Sequence, residues 1–149
     1  MASGEITSIC ISRVKHVQKE EVPEALLVED FGIEGDAHAG FAHRQVSLLS
    51  LESIDKVRAE GSLDLKPGAF AENMTTRGVD LNSLNIGDRL RLGEEVVLEV
   101  TQIGKECADH RCSVFERLGD CLMPREGIFT RVIKGGRLEP GDSIRILEE

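Results

Sequence analysis

The sequence predicts a mainly β protein, either a barrel or a sandwich, with one or two short helices. Apolar residues alternate with a period of two along most of the chain, which is the spacing of half-buried strands. Gly, Pro and Asp bound most of these alternating runs. A chain of 149 residues can bury a core without disulfides, and we expect a single domain over residues 1–149.

The strands follow from the alternation. The clearest run is Glu95–Gln102, where Val96, Leu98 and Val100 share one face. The other expected strands are Ile6–Val14, Ala25–Glu29, Gln45–Leu49, Phe70–Thr75, Arg89–Leu92, Ile128–Ile133 and Ser143–Ile146.

One segment has helical spacing. Leu51, Ile54 and Val57 recur on one helical face, Ser50 is a candidate N-cap and Gly61 can end the helix. These features predict a helix over about 51–60. A second short helix is expected over 113–118.

The chain also contains one short sequence pattern twice. Residues 84–92 and 138–146 share the pattern L-x-x-G-D-x-(L/I)-R-(L/I). Each copy predicts a tight turn that leads into a strand, with Gly supplying positive φ and Asp binding nearby backbone N–H groups. Shared turn chemistry explains the pattern, and a duplication is the alternative.

Charge and hydropathy exclude several function classes. The formal charge is 18 − 27 = −9, which opposes nucleic-acid backbones and anionic membranes. The chain has no Trp or Tyr for base stacking. It has no apolar run of about 20 residues, and its first residues do not resemble a signal peptide, so we expect a cytoplasmic protein.

Reactive side chains are densest in residues 104–112, directly after the strongest strand. Cys107 lies close in sequence to Lys105, His110 and Arg111, whose positive charge favours the thiolate. The alternative is a small buried side chain, as free cysteines often are. A zinc site built from Cys107, His110, Cys112 and Cys121 lacks the paired spacing of known zinc knuckles, and we expect Cys10 to be a packed strand residue.

Two further regions combine polar residues with turn signals. His38 lies in a Gly-rich stretch and is either a turn residue or a ligand group, while Arg44 precedes a strand and is either an anion-binding fork or a solvated strand end. Glu72 and Asn73 are unusual in a strand and indicate a polar site or network. Arg77, in the turn that we expect next, is either part of that site or a surface residue.

Taken in order, six stretches resemble the MOSC family, which is named for the C-terminal domain of the molybdenum cofactor sulfurase, in its small free-standing bacterial form. The stretches are GIEGDAHAG (32–40), RQVSL (44–48), FAENMTTRGVDL (70–81), IGDRLRLG (86–93), VLEVTQIGKEC (97–107) and MPREGIFTRVIKGG (123–136). The resemblance implies a closed, mainly antiparallel β-barrel. It also implies that Cys107 is the family's functional cysteine, which carries sulfur as a persulfide or binds molybdenum as a thiolate.

The resemblance further implies residues that bind the molybdenum cofactor, or molybdopterin. They are Arg44, Asn73, Arg77 and Arg89 in the matching motifs, with Lys105 and His38 as further basic groups. One departure from the family is Glu106 before Cys107, where reductase members have Pro; this acid disfavours the thiolate.

Three functions are therefore expected as alternatives. The first is a cofactor-binding or sulfur-carrier module that works with a cysteine desulfurase and with a molybdoenzyme or a molybdopterin-biosynthesis protein. Pyridoxal phosphate would enter only through the partner desulfurase, because its domain does not fit in 149 residues. The second is a molybdenum-dependent reductase of N-hydroxylated bases, and the third is an interaction domain without a cofactor.

Overall fold

The structure is a computed structural model that describes residues 3–14, 19–37, 39–40, 45–61, 67–68, 72–103 and 127–147. The first seven elements are β1 Ser3–Ile11, β2 Glu20–Val22, β3 Ala25–Val28, β4 Gly32–Ile33, β5 Val46–Ser50, α1 Leu51–Gly61 and β6 Met74–Arg77. After a 3₁₀ turn at Leu81–Ser83 come β7 Arg89–Leu92, β8 Val96–Ile103, β9 Ile128–Lys134, β10 Gly136–Leu138 and β11 Ser143–Leu147.

Seven of the strands form a closed barrel. Their order is β11-β7-β8-β9-β5-β6-β1, and β1 pairs with β11 to close the ring. All barrel pairs are antiparallel except β5 with β6. β2 extends the sheet from β1, and a small second sheet has the order β10-β3-β4. The fold class expected from the sequence is confirmed.

The barrel is filled by the apolar residues that alternate along its strands. Leu90 and Leu92, Val96 and Leu98, and Ile144 all lie in one core cluster and are fully or almost fully buried. The helix expected over 51–60 is α1, which packs on the outside of β5 and β6. Within the described ranges, no helix is long and apolar enough to span a membrane.

Two expectations need correction or lie outside the structure. The strand expected over Phe70–Thr75 begins later, at Met74, and continues to Arg77. Glu72 and Asn73 precede it because their side chains bond to neighbouring groups, as described below. β2, β4 and β10 were not expected, since two or three residues are too few to show a period of two. The expected helix over 113–118 lies outside the described residues.

The sequence pattern shared by residues 84–92 and 138–146 has a structural counterpart. Gly87 and Gly141 both have φ of 99°, and the backbone N–H of Asn85 donates to Asp88 just as that of Glu139 donates to Asp142, at 2.8 and 2.9 Å. Each turn then exchanges two backbone hydrogen bonds with the neighbouring strand, at Val100 on β8 and at Ile6 on β1. The two copies therefore share their complete turn and its attachment to the barrel.

The equivalence extends beyond the turns. The two copies pair with each other, with Arg91 opposite Arg145, so that a local two-fold axis lies between β7 and β11. The same axis exchanges β8 with β1 and β9 with β6, and it relates the ion pair Glu99–Arg131 to the pair Glu5–Arg77. The axis maps β5 onto itself with its direction reversed, while it exchanges the two neighbours of β5, β9 and β6. A strand in this position must run antiparallel to one neighbour and parallel to the other. The single parallel pair of the barrel follows from this symmetry.

The equivalent glycines give a test of this symmetry. We expect Gly87→Ala and Gly141→Ala each to lower the free energy of unfolding by about 1–2 kcal/mol, because both residues need positive φ and neither has an atom near a new Cβ. Urea denaturation should show similar losses, and Gly→Asn at either site should cost less because Asn tolerates this conformation. Losses that differ by more than about 1 kcal/mol between the two sites would contradict the equivalence.

Candidate functional site

A buried ion pair lies on the outside of the barrel wall. Lys19 Nζ is 2.8 Å from Asp36 Oδ1, and the two side chains are 2% and 0% exposed. The same Asp36 oxygen accepts the backbone N–H of Ser12 at 3.0 Å, and Oδ2 accepts Asn73 Nδ2 at 3.3 Å. Asp36 therefore joins the end of β1, the start of β2 and the start of β6.

Asn73 extends this network into the sheet. Its Nδ2 also donates to the carbonyl oxygen of Cys10 at 3.0 Å, while its Oδ1 accepts the backbone N–H and the hydroxyl of Ser47 at 3.0 and 3.2 Å. Both donors and both acceptor positions of the amide are thus used inside the protein. Asn73 braces β1, β5 and β6, and its contact with a cofactor stays a prediction.

Glu72 forms a second buried group beside Asn73. It is fully buried and accepts the backbone N–H of Gly68 and the hydroxyl of Thr75, each at 3.1 Å. The expected polar network at Glu72 and Asn73 is confirmed. Lys19 was missed, because a lysine in a charged stretch usually lies at the surface and its sequence context gives no other signal.

One row of the sheet connects this network to the end of β8. Asn73 pairs with Ser47, Ser47 lies opposite Phe129, and Phe129 lies opposite Gln102. Three strand spacings separate Asn73 from Gln102, or about 14 Å along the sheet. The described residues stop at Ile103 and resume at Gly127. Ile103 lies opposite Ile128, next to this row.

Four of the predicted site residues are outside the described residues: His38, Arg44, Lys105 and Cys107. The described neighbours of His38 and Arg44 bond to β9 and to the end of β1. Ala37 donates its N–H to Ser12 at 2.6 Å, and Gln45, which follows Arg44, donates its backbone N–H to Thr130 on β9 at 3.1 Å.

Arg77 and Arg89 lie elsewhere on the wall. Arg77 ends β6, is 59% exposed and forms an ion pair with Glu5, which raises the pKa of the guanidinium through a hydrogen bond and opposite charge. Arg89 begins β7, is 48% exposed and pairs with Glu99 at 3.3 Å. The structure does not bring these two residues to the buried network, and their assignment to the cofactor stays a prediction.

Cys10 is an inert thiol. It is 1% exposed, and its pKa is raised from 9.0 to about 12 by burial and, secondarily, by the charges of Glu72 and Glu21, while Lys19 acts in the opposite direction. A thiol of this kind is neither a nucleophile nor a metal ligand at neutral pH. Among the described residues, no three His, Cys, Asp or Glu side chains form a metal site. The set considered and disfavoured for zinc, Cys107, His110, Cys112 and Cys121, lies outside those residues.

These features define a class: a small closed barrel with a buried polar network at the ends of β1, β2 and β6. The MOSC domain family model matches residues 35–145, and the chain therefore belongs to the MOSC domain family. This family is associated with molybdenum-cofactor proteins.

The chain is also similar to individual proteins. A "Reductase" from Gibberella moniliformis is 29% identical over 97% of the chain, which spans only 26% of that protein. The crystal structure of the YuaD protein from Bacillus subtilis has a TM-score of 0.76 at 20% identity and covers 97% of this chain and 95% of its own. YiiM from Geobacillus stearothermophilus has a TM-score of 0.73 at 20% identity, covering 97% and 75%. These two structures share the fold.

Burial of Cys10 predicts a pH dependence of stability. The unfolded chain ionises this thiol near pH 9, whereas the folded chain keeps its proton up to about pH 12. Unfolding therefore releases a proton in this window, and the free energy of unfolding falls as pH rises. Between pH 8 and pH 10 the wild type should lose about 1.4 kcal/mol more than Cys10→Ala. Equal losses in urea titrations at the two pH values would contradict the burial of an un-ionised thiol.

The ion pair of Lys19 and Asp36 predicts a large effect of charge removal. Asp36→Asn removes a buried carboxylate partner of the Lys19 ammonium group and should cost about 3–5 kcal/mol of folding stability. The control is Asp55→Asn, since Asp55 and Arg58 form an ion pair of nearly the same length, 2.9 Å, at the surface of α1. That change should cost less than about 1 kcal/mol. Similar losses for the two variants in urea denaturation would contradict a buried charge pair.

Proposed function

We propose that this chain binds the molybdenum cofactor and that Cys107 either carries sulfur as a persulfide or ligates molybdenum as a thiolate. Membership of the MOSC family is the observation that carries the proposal. Cys10 is excluded as the working thiol by its burial, and the other three cysteines, Cys107, Cys112 and Cys121, lie in residues 104–126. Of these, Cys107 lies in the stretch that matches the family motif.

The buried network supports this proposal by fixing the ends of the loops. Asp36, which Ser12 and Asn73 hold by hydrogen bonds, lies two residues before the predicted binding group His38, and Gln45, which follows Arg44, bonds to Thr130 on β9. Several hydrogen bonds and an ion pair hold these loop ends against the barrel. Fixed loop ends reduce the entropy that the loops lose when they bind a ligand.

The chemistry of the donors fits the cofactor. A molybdenum cofactor supplies its own dithiolene ligands to the metal, so the protein has to add one soft ligand rather than a complete cage. Cys107 would be that ligand, and Arg44, Lys105 and His38 would bind the anionic pterin phosphate. When bound, the group supplies two-electron redox chemistry. Asn73, Arg77 and Arg89 remain further predicted contacts.

The sulfur-carrier role requires one balanced step. The Cys107 thiolate attacks the outer sulfur of a persulfide on a donor protein, the S–S bond of the donor breaks, and the donor leaves as a thiolate. Cys107 then holds the sulfane sulfur, and no external oxidant or reductant is consumed. A cysteine desulfurase with its own pyridoxal phosphate is the proposed donor, and a molybdoenzyme or a molybdopterin-biosynthesis protein is the proposed acceptor.

A reductase of N-hydroxylated bases is the second candidate. The similarity to the fungal "Reductase" favours it. This chain covers about a quarter of that protein, so an electron donor would have to come from elsewhere.

Replacement of Cys107 tests the proposal. Cys107→Ser should reduce sulfane sulfur, measured by cyanolysis after incubation with a desulfurase and cysteine, to less than about a tenth of wild type, because the serine hydroxyl cannot form a persulfide. Molybdenum content after purification from a cofactor-producing host should also fall. Cys10→Ser is the control for a buried thiol and should retain both properties.

The outcomes separate the three functions. Wild-type levels of sulfur and molybdenum in Cys107→Ser would refute the role of this thiol. Cofactor-dependent turnover of a hydroxylamino compound by the chain with dithionite would favour the reductase. Absence of molybdenum, sulfane sulfur and turnover in the wild type would leave the interaction domain.

A further inference from the structure

The outer face of β7, β8, β9 and β11 carries a group of arginines that the proposed function does not use as a unit. This arginine face consists of Arg89, Arg91, Arg131 and Arg145, with Glu99 among them. Arg89 and Arg131 both pair with Glu99, at 3.3 and 3.2 Å. The five side chains sum to a charge of +3, in a chain whose formal charge is −9.

The positions of two of these arginines do not contribute to folding stability. Arg91 and Arg145 are directly opposite each other on adjacent antiparallel strands, at the local two-fold axis. Like charges directly opposite destabilise a sheet. Arg91 donates to the backbone carbonyl of Glu94 at 3.0 Å, and in the described part of the chain no carboxylate is within ion-pair distance of Arg91 or Arg145. Arg91 and Arg145 therefore have no counter-charge among the described residues, and an anionic ligand can supply one.

We infer that the arginine face is a docking surface for an acidic segment of a partner protein. Guanidinium groups bind carboxylates through paired hydrogen bonds. Arg89 and Arg91 are two residues apart on one strand, about 6.7 Å, which is the spacing of alternate side chains in an extended peptide. An acidic peptide in extended form can therefore place successive outward-facing carboxylates against this strand and its neighbour β11.

Carboxylates fit this face better than a nucleic acid does. Single-stranded nucleic acids bind through aromatic stacking as well as charge. The chain has no Trp or Tyr, and Phe129, the phenylalanine of β9, is buried. The five side chains of the arginine face thus offer charge and hydrogen-bond donors, and none of the five is aromatic.

Charge reversal at Arg145 tests this inference. The probe is a fluorescent hexaglutamate peptide, and the measurement is fluorescence anisotropy at low and physiological salt. We expect wild type to bind the peptide despite its net negative charge, and Arg145→Glu to weaken binding at least tenfold. The same variant should have a higher Tm than wild type, because the introduced carboxylate would lie opposite the guanidinium of Arg91 as an opposite charge.

Arg137→Glu is the matched control. It makes the same change in net charge on an exposed side chain of β10 that is not part of the arginine face and that pairs with Glu24 at 3.7 Å. Peptide binding should change less than twofold and Tm should not rise. Weakening by both variants would show a net-charge effect and overturn the inference.

Two other results would also overturn it. If wild type binds hexaglutamate no better than a neutral glycine–serine peptide, the arginine face is not a docking surface. If an oligothymidine of equal charge binds at least as tightly as the peptide, the partner is a nucleic acid rather than an acidic protein segment. None of these readouts involves Cys107, so the inference and the proposed function fail or succeed separately.

Discussion

The structure depends on the junction between β5 and β6, where the barrel has its single parallel pair. A parallel strand cannot follow its neighbour through a tight hairpin, and the chain here makes a long connection through α1 before β6 begins. Asn73 enters the junction from that connection, and its side-chain oxygen takes the place of a strand carbonyl toward Ser47. Its amide nitrogen reaches β1 on the other side, so one side chain holds three strands together.

The buried charges follow from that junction. Asn73 has one amide hydrogen left after it binds Cys10, and Asp36 accepts it. A carboxylate buried at this position needs a counter-charge, and Lys19 supplies one. Asp36, two residues before His38, therefore cannot move without exposing a charge.

Much of the barrel could be predicted because its strands alternate cleanly. β7 and β8 bury every second residue along most of their length, and the turns before β7 and β11 carry Gly and Asp at the required positions. β6 could be located only approximately, since it begins where Asn73 stops bonding to Ser47, a contact between residues 26 positions apart. The partner of Asp36 and the opposition of Arg91 and Arg145 depend on strand register, which no single segment encodes.

For the site, the polar character of Glu72 and Asn73 was evident from their poor strand propensity. Cys107 itself rests on the family resemblance.

The closure of the ring by β1 and β11 has a consequence for larger proteins. Ser3 lies directly opposite Arg145, with Cα atoms about 5 Å apart, so the first described residue lies close to the last strand. A unit with adjacent ends can be inserted at a single surface turn of a host polypeptide without stretching either one. The position of these residues is compatible with the arrangement in the Gibberella moniliformis relative, where the matching stretch is a small part of a much longer chain.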